Sequence, residues 1–469
     1  MSIYSIGLSG LNAAQNALNT TSNNISNVYT PGYNRELTVL GEARGDGGVQ
    51  VNDIQRQFNQ YVANQLNSAT SSSSALAAYQ GQISQIDNLL ADRDAGLAPL
   101  MQSFFSSLED LASAPSDPAA RQGVLGTAQT LAAQFQSFDS YLQDMQAGIN
   151  GQIRDEVTQI NNTTEQLATL NREIGLARAR SGEAPNGLLN QRDQLVAELS
   201  ERMDVRLNIQ DGKTYNVSLP NGQPLVSGTN TFKLEVMDAP DDPQRSIIGY
   251  NDSGNNLIAL REDAIKGGTL GGLMAFREES LDKAQNDLGQ LAISLAKGVN
   301  DVHTTGLDLN GDPGEPFFAI DLTSPSRAAG SLEVAISDLD QIAAAQPSNP
   351  DDDPADWVFS GTGDNRNALA LQDLQNAKLV GDPDSGATLN QAYASMVSDV
   401  GNKTNVVQVN LEARQGLTDQ LRAVQQSESG VNLDEEAANL LRYQQFYAAN
   451  ARVIDTASTI FDTILGLRS

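Results

Sequence analysis

The chain opens with 34 residues, Met1 to Asn34, that read MSIYSIGLSGLNAAQNALNTTSNNISNVYTPGYN. They contain no Asp, Glu, Lys or Arg, although the whole chain carries 58 acidic and 29 basic residues. An exposed helix normally carries charge on its solvent face, so we expect this segment to be covered. Asn, Ser, Thr and Gln interrupt it too often for a membrane span. We therefore predict that another protein chain covers it.

A repeat with alternating spacings of three and four runs through this segment at Leu11, Ala14, Leu18, Thr21, Ile25 and Val28. The spacing predicts a helix with one contact seam, either an ordinary amphipathic helix or a coiled coil. A second stripe consists of Asn12, Asn16, Asn19 and Asn23. Asn is a poor helix former, so this helix should be weak alone and need partners. Pro31-Gly32 is expected to end it.

The C-terminal segment has the same design. Its three-four alternation runs through Ala437, Leu440, Gln444, Tyr447, Ala451, Ile454, Ser458, Phe461 and Leu465. A second stripe lies beside it at Ala457, Ile460, Ile464 and Leu467. Two seams on one helix are typical of a bundle or a polymer. We predict that the two ends of the chain pair in space.

The composition excludes several classes of function. The formal net charge is −29 and the pI is about 4.2, so the surface repels nucleic acids and anionic lipids. There is no Cys, which excludes disulfides, zinc-thiolate sites and a cysteine nucleophile. No apolar run is long enough to span a membrane, and the N-terminus lacks the basic and apolar regions of a cleaved secretory signal.

The middle of the chain predicts a mainly α fold with a β insert, built as an elongated multi-helix bundle. Asp117-Pro118 is a helix start signal, and the apolar pattern that follows continues without a break to Ser181-Gly182. We predict one unusually long helix there. Residues 205–262 instead alternate with period two, and the turn signals Asp211-Gly212 and Asn221-Gly222 predict an antiparallel β region.

These patterns divide the chain into four regions, with a hinge or boundary at the polar run Ser71 to Ser74. The regions are a terminal helical domain (1–70 with 425–469), a long-helix bundle (71–204 with 267–304 and 361–424), a β-hairpin region (205–266) and a loop-rich insert with short strands around Leu332 to Val334 (305–360).

The candidate catalytic motifs are incomplete. His303 is the only histidine, and no Ser-His-Asp arrangement accompanies it, so we expect a helix-end or surface residue. Ser294 to Lys297 matches S-x-x-K, but the companion Lys-Thr-Gly is absent and the match lies in a helical pattern. We predict that the chain is not an enzyme and has no cofactor.

The candidate binding motifs also favour structural explanations. Asp308, Asn310 and Asp312 begin like a calcium loop, but Pro313 replaces the required Gly and Ala319 the required Glu. We expect a polar turn there, with weak cation binding as the alternative. The glycine-rich segment 267–272 lacks the Lys-Ser/Thr ending of a phosphate loop, which favours a close backbone approach before a helix. Residues 351–353 read as a solvated acidic loop. No metal site is predicted.

Two segments carry a resemblance to a known family. Asn23 to Tyr33, NNISNVYTPGY, resembles the N-terminal signature of bacterial flagellar axial proteins, which include rod, hook and hook-associated proteins. Ser429 to Glu436, SGVNLDEE, is similar to the C-terminal part of the hook-associated members. Ser26 and Tyr29 depart from the usual Ala and Asn. The chain is also short between Pro325 and Phe359, where those members often carry a larger β insert.

The resemblance implies a structural subunit at the junction between hook and filament of the extracellular flagellum. It implies export through the flagellar type III channel without signal cleavage, and ends that are disordered in the monomer and become paired helices on assembly. The implied partners are further copies in a ring, the hook protein, the next hook-associated junction protein and an export chaperone. The alternatives are another axial protein, flagellin-like or a hook subunit, and an enzyme carried on the flagellum.

Assembly contacts are expected on both terminal helices, because ordering a chain costs roughly 1–2 kcal/mol per residue and neighbouring subunits must supply the burial that offsets this cost. The residues predicted to make them are Leu11, Asn16, Leu18, Asn23, Ile25, Leu440, Tyr447, Ile454 and Phe461.

Overall fold

The computed structural model describes residues 3–43, 47–91, 96–182, 185–210, 214–240, 242–252, 254, 256–382 and 385–466. Over these residues the predicted fold class is confirmed, because helices form most of the chain and the sheets are small and antiparallel. The helices are α1 (Ile3–Ser26), α2 (Gln60–Leu90), α3 (Leu97–Ser113), α4 (Pro118–Ser181), α5 (Asn186–Arg202), α6 (Gly268–Phe276), α7 (Asp282–His303), α8 (Pro325–Ala328), α9 (Arg366–Asp373), α10 (Leu389–Ser429) and α11 (Leu433–Gly466).

In the described part of the chain, the strands form four separate antiparallel sheets. They are β1 (Glu36–Glu42), β2 (Val49–Arg56), β3 (Arg206–Gln210), β4 (Thr214–Ser218), β5 (Pro224–Ser227), β6 (Asn230–Thr231), β7 (Leu234–Asp238), β8 (Ser246–Asn251), β9 (Leu257–Ala259), β10 (Phe318–Ala319) and β11 (Glu333–Val334). The sheet orders are β1-β2, β3-β4-β5-β6, β7-β8-β9 and β10-β11.

The predicted long helix is confirmed as α4, which contains 64 residues and is about 95 Å long at 1.5 Å per residue. Asp117 is its N-cap and accepts a hydrogen bond of 3.0 Å from the backbone N–H of Ala119. Gly182 ends the helix with a φ of +84°, a conformation that glycine adopts without strain. One face of α4 forms the spine of the core, through Leu131, Phe135, Phe138, Leu142, Ile149, Ile153, Ile160 and Leu167.

Helices α2 and α10 form a long antiparallel pair that runs from the terminal helices to the middle of the molecule. Asn59 donates a hydrogen bond to Glu428 at one end, and Tyr393 donates one to the backbone oxygen of Leu90 at the other. The boundaries predicted at residues 70 and 424 lie inside these two continuous helices. The helix pair therefore joins the two regions with no break in secondary structure.

The hinge predicted from Ser71 to Ser74 is wrong, because α2 continues through all four residues. Ser72 donates its hydroxyl to the backbone oxygen of Ser68, so it bonds within the helix. The side chains of Ser71 to Ser74 are small because helix α6 crosses α2 closely at this point. A Cβ on Gly267 would overlap the hydroxyl of Ser71, and one on Gly272 would overlap the backbone oxygen of Ala75. The close approach predicted for the glycine-rich segment is therefore confirmed.

The β region packs against α4 through asparagine side chains. Asn171 donates to the backbone oxygens of Tyr215 and Gly228, and Asn161 exchanges hydrogen bonds with both backbone groups of Leu234. β3 and β4 pair as predicted for a hairpin, although the turn Asp211-Gly212 lies outside the described residues. The turn at Asn221-Gly222 is confirmed, and Gly222 has a φ of +93°.

The terminal region contains a β-hairpin that was not predicted. β1 and β2 pair in register from Glu36↔Arg56 to Glu42↔Val49, with a bulge after Val39. The hairpin lies inside the predicted terminal helical domain (1–70 with 425–469), so the helical assignment was wrong for these two strands. A signal was present in β2, where Val49, Val51 and Ile54 are interspersed with polar residues, but β1 (ELTVLGE) has no such alternation and strong helical patterns lie on either side.

The insert at 305–360 consists mostly of loops, as predicted, with the short strand pair β10-β11 at its centre. Phe317 and Phe318 are buried there and contact Phe104 of α3. The break predicted at Gly381-Asp382-Pro383 is confirmed in part: Gly381 has a φ of +91°, and Pro383 lies outside the described residues.

Candidate assembly interface

The two ends of the chain pair as predicted, because α1 and α11 lie against each other in antiparallel orientation. Gly7 and Gly10 make the closest approach. A Cβ on Gly7 would lie 2.8 Å from the Cγ1 atom of Ile454, and one on Gly10 would overlap the side chain of Asn450. Asn24, near the other end of α1, contacts Glu436 near the start of α11. The two glycines allow the helices to lie closer than larger residues would.

No large apolar side chain of either helix, both of which are described throughout, is fully buried. The buried residues of α1 are small or polar: Gly7, Gly10, Ala13, Ala14, Ala17, Thr20, Thr21 and Asn24. In α11, whose 34 residues are all described, the only buried residue is Glu436. Hydrophobic stabilisation scales with the apolar area removed from water, so this pair is weakly held within one chain.

Large apolar side chains instead lie on the outer faces of the pair. Phe461 is 63% exposed, and α11 is exposed on all sides from there to Gly466. Exposed apolar patches of this kind mark surfaces that bind other proteins. The exposed residues are Ile3, Tyr4, Ile6 and Leu8 on α1, and Leu433, Leu441, Phe446, Tyr447, Val453, Ile460, Phe461, Ile464 and Leu465 on α11.

The nine residues predicted to make assembly contacts divide into two groups. The first group is half-buried: Leu11, Leu18, Ile25, Leu440 and Ile454. The exposed group faces solvent: Asn16, Asn23, Tyr447 and Phe461. None of the nine is fully buried, so all keep surface available. Sequence reasoning missed Ile3, Ile6 and Leu441, which the helical spacing places off the main seams.

A buried polar cluster lies at the base of the terminal helices and joins the two segments that carry the family resemblance. Asn24 donates to a carboxylate oxygen of Glu436, 412 residues away, at 3.1 Å. Arg35 donates through Nε to the other oxygen at 2.7 Å. Asn24 also accepts from the hydroxyl of Tyr33 at 2.8 Å and exchanges two hydrogen bonds of 2.9 Å with the backbone of Glu36. We call Asn24, Arg35 and Glu436 the terminal cluster.

The strand next to the terminal cluster is tied to the middle of the molecule. Asn34 donates to the side-chain oxygen of Asn190 on α5 at 2.8 Å. Arg56 at the end of β2 donates to the same oxygen and forms an ion pair with Asp193. A short polar segment therefore connects the terminal helices, the hairpin and α5.

Burial perturbs the titratable groups around the terminal cluster. Desolvation raises the pKa of the Tyr33 hydroxyl well above its ordinary value, and the carboxylates of Glu36 and Glu436 raise it further. Desolvation also raises the pKa of Glu36. Tyr33 thus remains a neutral hydrogen-bond donor to Asn24 throughout the physiological pH range.

His303 has a structural environment. It is the last residue of α7, as expected, but it is buried and not on the surface. Its Nδ1 lies 2.6 Å from the backbone oxygen of Glu315, and its Nε2 accepts the backbone N–H of Ala343 at 2.9 Å. Burial lowers its pKa to about 4. Both ring nitrogens are occupied, so the neutral ring is built into the fold.

The other candidate motifs also fit their structural explanations. Asp308 accepts the backbone N–H groups of Asn310 and Asp312 and closes a polar turn. Ser294 lies on α7 and accepts a hydrogen bond from Gln290. Residues 351–353 are exposed. Among the described residues, no cluster of three potential metal ligands occurs, and no helix is both long and apolar enough to cross a bilayer.

Three family profiles match the chain. The profile described as "Flagellar hook-associated protein FlgK helical domain" covers residues 83–318, about half of the chain. "Flagella basal body rod protein" matches residues 5–34, and "Flagellar basal body rod FlgEFG protein C-terminal" matches residues 425–467. The last two profiles coincide with α1 and α11.

The similar proteins carry the same name. Flagellar hook-associated protein 1 of Salmonella typhimurium is 38% identical over 558 aligned positions that include all of both chains, and the Escherichia coli protein is 38% identical over 548. The Bacillus subtilis protein is 26% identical and covers 97% of this chain. The Salmonella alignment is 89 positions longer than the 469 residues of this chain, so that relative contains residues that this chain lacks.

A solved structure supports the fold. The flagellar hook junction protein FlgK from Burkholderia pseudomallei aligns with a TM-score of 0.70 at 24% sequence identity. The alignment covers 78% of this chain and 100% of that one.

Proposed function

The chain belongs to the family of flagellar hook-associated protein 1, and from that premise we propose that it forms the junction between hook and filament. It is a structural component of the bacterial flagellum, outside the cell, and not an enzyme. The relatives named above are all flagellar hook-associated proteins, which favours the junction role over the alternatives of a flagellin-like protein, a hook subunit or a flagellum-carried enzyme. The assignment of contacts between this chain and its neighbours in the junction is argued from the surfaces of the terminal helices.

The observation that carries the proposal is the apolar outer surface of the α1–α11 pair. Residues 3–34 carry no charge, and large apolar side chains on α11 face solvent in a single chain. Neighbouring subunits would remove this surface from water and stabilise the assembly. We assign the lateral contacts to further copies in a ring, and the axial contacts to the hook protein on one side and the next hook-associated junction protein on the other.

The same surface supports terminal segments that are disordered before assembly. The two helices bury few apolar side chains within one chain, and isolated helices are marginal in water. Each ordered residue costs roughly 1–2 kcal/mol of backbone entropy. The burial that offsets this cost is available only when neighbouring subunits cover the outer faces. Disordered ends also suit export through the flagellar type III channel, without a cleaved signal and with an export chaperone as the carrier.

The middle of the chain supplies a rigid body that does not depend on assembly. The core runs along α4 and includes buried residues of α3, α6, α7 and the β region. This body presents the hairpin and the α2–α10 pair to the terminal helices. It would remain folded when the ends are disordered.

The proposal is tested by replacing Phe461 with Ser in the full chain. Phe461 is 63% exposed, so F461S should leave folding and secretion unchanged and should strongly reduce incorporation into flagella. The matched control is L322S, because Leu322 is also 63% exposed but lies in the loop-rich insert. The measurements are the amount of protein in sheared flagella, the amount in the culture medium, and motility. Normal incorporation of F461S, or an equal defect in L322S, would refute the assigned surface.

A further inference from the structure

The terminal cluster uses all four hydrogen-bonding positions of the Asn24 amide and both carboxylate oxygens of Glu436. The amide of Asn24 donates twice and accepts twice, and each carboxylate oxygen of Glu436 accepts from a different donor. Glu436 is only 1% exposed, whereas the side chain of Arg35 is 14% exposed. A buried carboxylate without its partners is strongly unfavourable, so the cluster tolerates only one arrangement.

The rest of the α1–α11 contact does not select a single position of α11 along α1. The buried face of α1 presents small residues that repeat every seven positions, with Gly7, Ala14 and Thr21 in one row and Gly10 and Ala17 in the next. A shift of α11 by two turns, about 11 Å, would bring similar small residues opposite the same side chains. In coiled coils, a single buried polar residue is what selects one register from several such alternatives.

We propose that the terminal cluster is a register latch, which fixes the alignment of α11 on α1 when the ends of the chain become ordered. The proposal rests on the assembly role above and adds the residues that set its geometry. Asn24, Arg35 and Glu436 are positioning residues, because their side chains bond to one another within one chain. They determine which outer apolar side chains of α1 and α11 lie side by side.

The latch also sets the orientation of the terminal pair on the rest of the molecule. The backbone of Arg35 is also fixed: its N–H donates to the backbone oxygen of Ser429 at the end of α10, and its backbone oxygen accepts from the N–H of Gln57. Its neighbour Asn34 is bonded to α5 through Asn190. A displaced register would therefore break contacts to Arg35 that hold the terminal helices on the hairpin and α10.

Replacing Glu436 with Gln tests the latch with minimal change in shape. A glutamine has one acceptor oxygen and one donor amide, so it cannot accept from both Asn24 and Arg35, and its amide would face another donor. The matched control is E435Q. Glu435 also contacts Arg35 at 2.7 Å, but it is 57% exposed, and surface ion pairs contribute little.

The register itself can be measured because the chain contains no cysteine. Gly10→Cys with Asn450→Cys places two thiols at the closest point of the observed contact, 14 residues from the latch along each helix. Gly10→Cys with Asn450→Ala and Ala457→Cys reports a shift of one heptad, and the alanine at position 450 leaves room for the Cβ at position 10. In assembled flagella of the otherwise unmodified chain, only the first pair should form a disulfide. The assembly role itself is tested separately by F461S, which leaves Gly10 and Asn450 unchanged, so failure of the assembly role and failure of the latch are distinguishable.

Full-length E436Q should be secreted normally but incorporated about tenfold less or worse, the order expected for a lost buried charge-assisted hydrogen bond, whereas E435Q should match the parent. Introducing the 10–450 disulfide into E436Q should restore incorporation, because the covalent bond replaces the latch, and the 10–457 disulfide should not. The proposal is overturned if E436Q incorporates like the parent with the same single disulfide, or if the 10–450 disulfide gives no rescue.

Discussion

At the scale of single residues, the most informative side chains are polar and buried. Asn24 and Glu436 belong to the two segments that resemble the flagellar axial proteins, and the structure shows that these segments bind each other. The sequence indicated that the two ends of the chain pair, from their matching three-four patterns. It could not indicate the contact between Asn24 and Glu436, because a hydrogen bond between residues so far apart leaves no local periodicity.

His303 provides a prediction at this scale. Its folded pKa of about 4 lies below the ordinary value of about 6.5, because burial disfavours the charged ring. A protonated Nε2 would also face the N–H of Ala343. The stabilisation from the neutral ring is complete above pH 6.5. It is lost as the pH falls from 6.5 to 4, by roughly 3 kcal/mol in the free energy of unfolding.

The measurement is the NMR titration of the imidazole, which is unambiguous because the chain has one histidine. The resonance should remain that of the neutral ring down to about pH 5 in the folded protein. Asp139 shifts stability in the opposite direction, since burial raises its pKa to about 6. The stability profile of the whole chain therefore combines both groups. A histidine that titrates near pH 6.5 would contradict the buried neutral assignment.

At the scale of elements, the sequence predicted the long helix, its N-cap and the short strands of the insert, because each has a local signal such as Asp117-Pro118. It failed at Ser71 to Ser74, where small polar residues were interpreted as a hinge. These residues are small because α6 crosses α2 there, and a contact with a segment almost 200 residues away has no local signature. The β1–β2 hairpin was missed because helix patterns surround it.

The crossing of α2 and α6 gives a prediction at the scale of elements. Gly272→Ala would place a methyl group on the backbone oxygen of Ala75, and backbone on both sides leaves no side chain that can move away. We expect G272A to lower the free energy of unfolding by about 1–3 kcal/mol, the usual range for overpacking. The change in stability is measured by thermal unfolding, monitored by circular dichroism.

The control substitution is Gly148→Ala on an exposed face of α4, where nothing lies within 4 Å of the added Cβ. It should raise stability by about 0.5–1 kcal/mol, because alanine restricts the unfolded chain and favours helix. If the two variants have the same stability, the close approach of α6 to α2 is not a determinant of the fold.

At the scale of the whole molecule, the structure separates a well-packed body from weakly packed ends. The body contains the continuous core along α4, whereas Glu436 is the only buried residue of α11. The sequence indicated this division through its lack of charge in residues 1–34. The sequence could not locate the boundary between the body and the ends. The boundaries predicted at residues 70 and 424 lie inside α2 and α10, which are continuous helices of the body. A fragment of the body should therefore span about 57–430, so that both helices stay whole.

Hydrogen exchange of the full chain, measured once as a purified monomer and once in isolated flagella, tests the central claim most directly. We predict that amides of α1 and α11 exchange rapidly in the monomer, while those of α4 and α7 are protected, and that α1 and α11 become protected after assembly. Strong protection of α1 and α11 in the monomer, unchanged by assembly, would contradict the claim that neighbouring subunits order the ends of the chain.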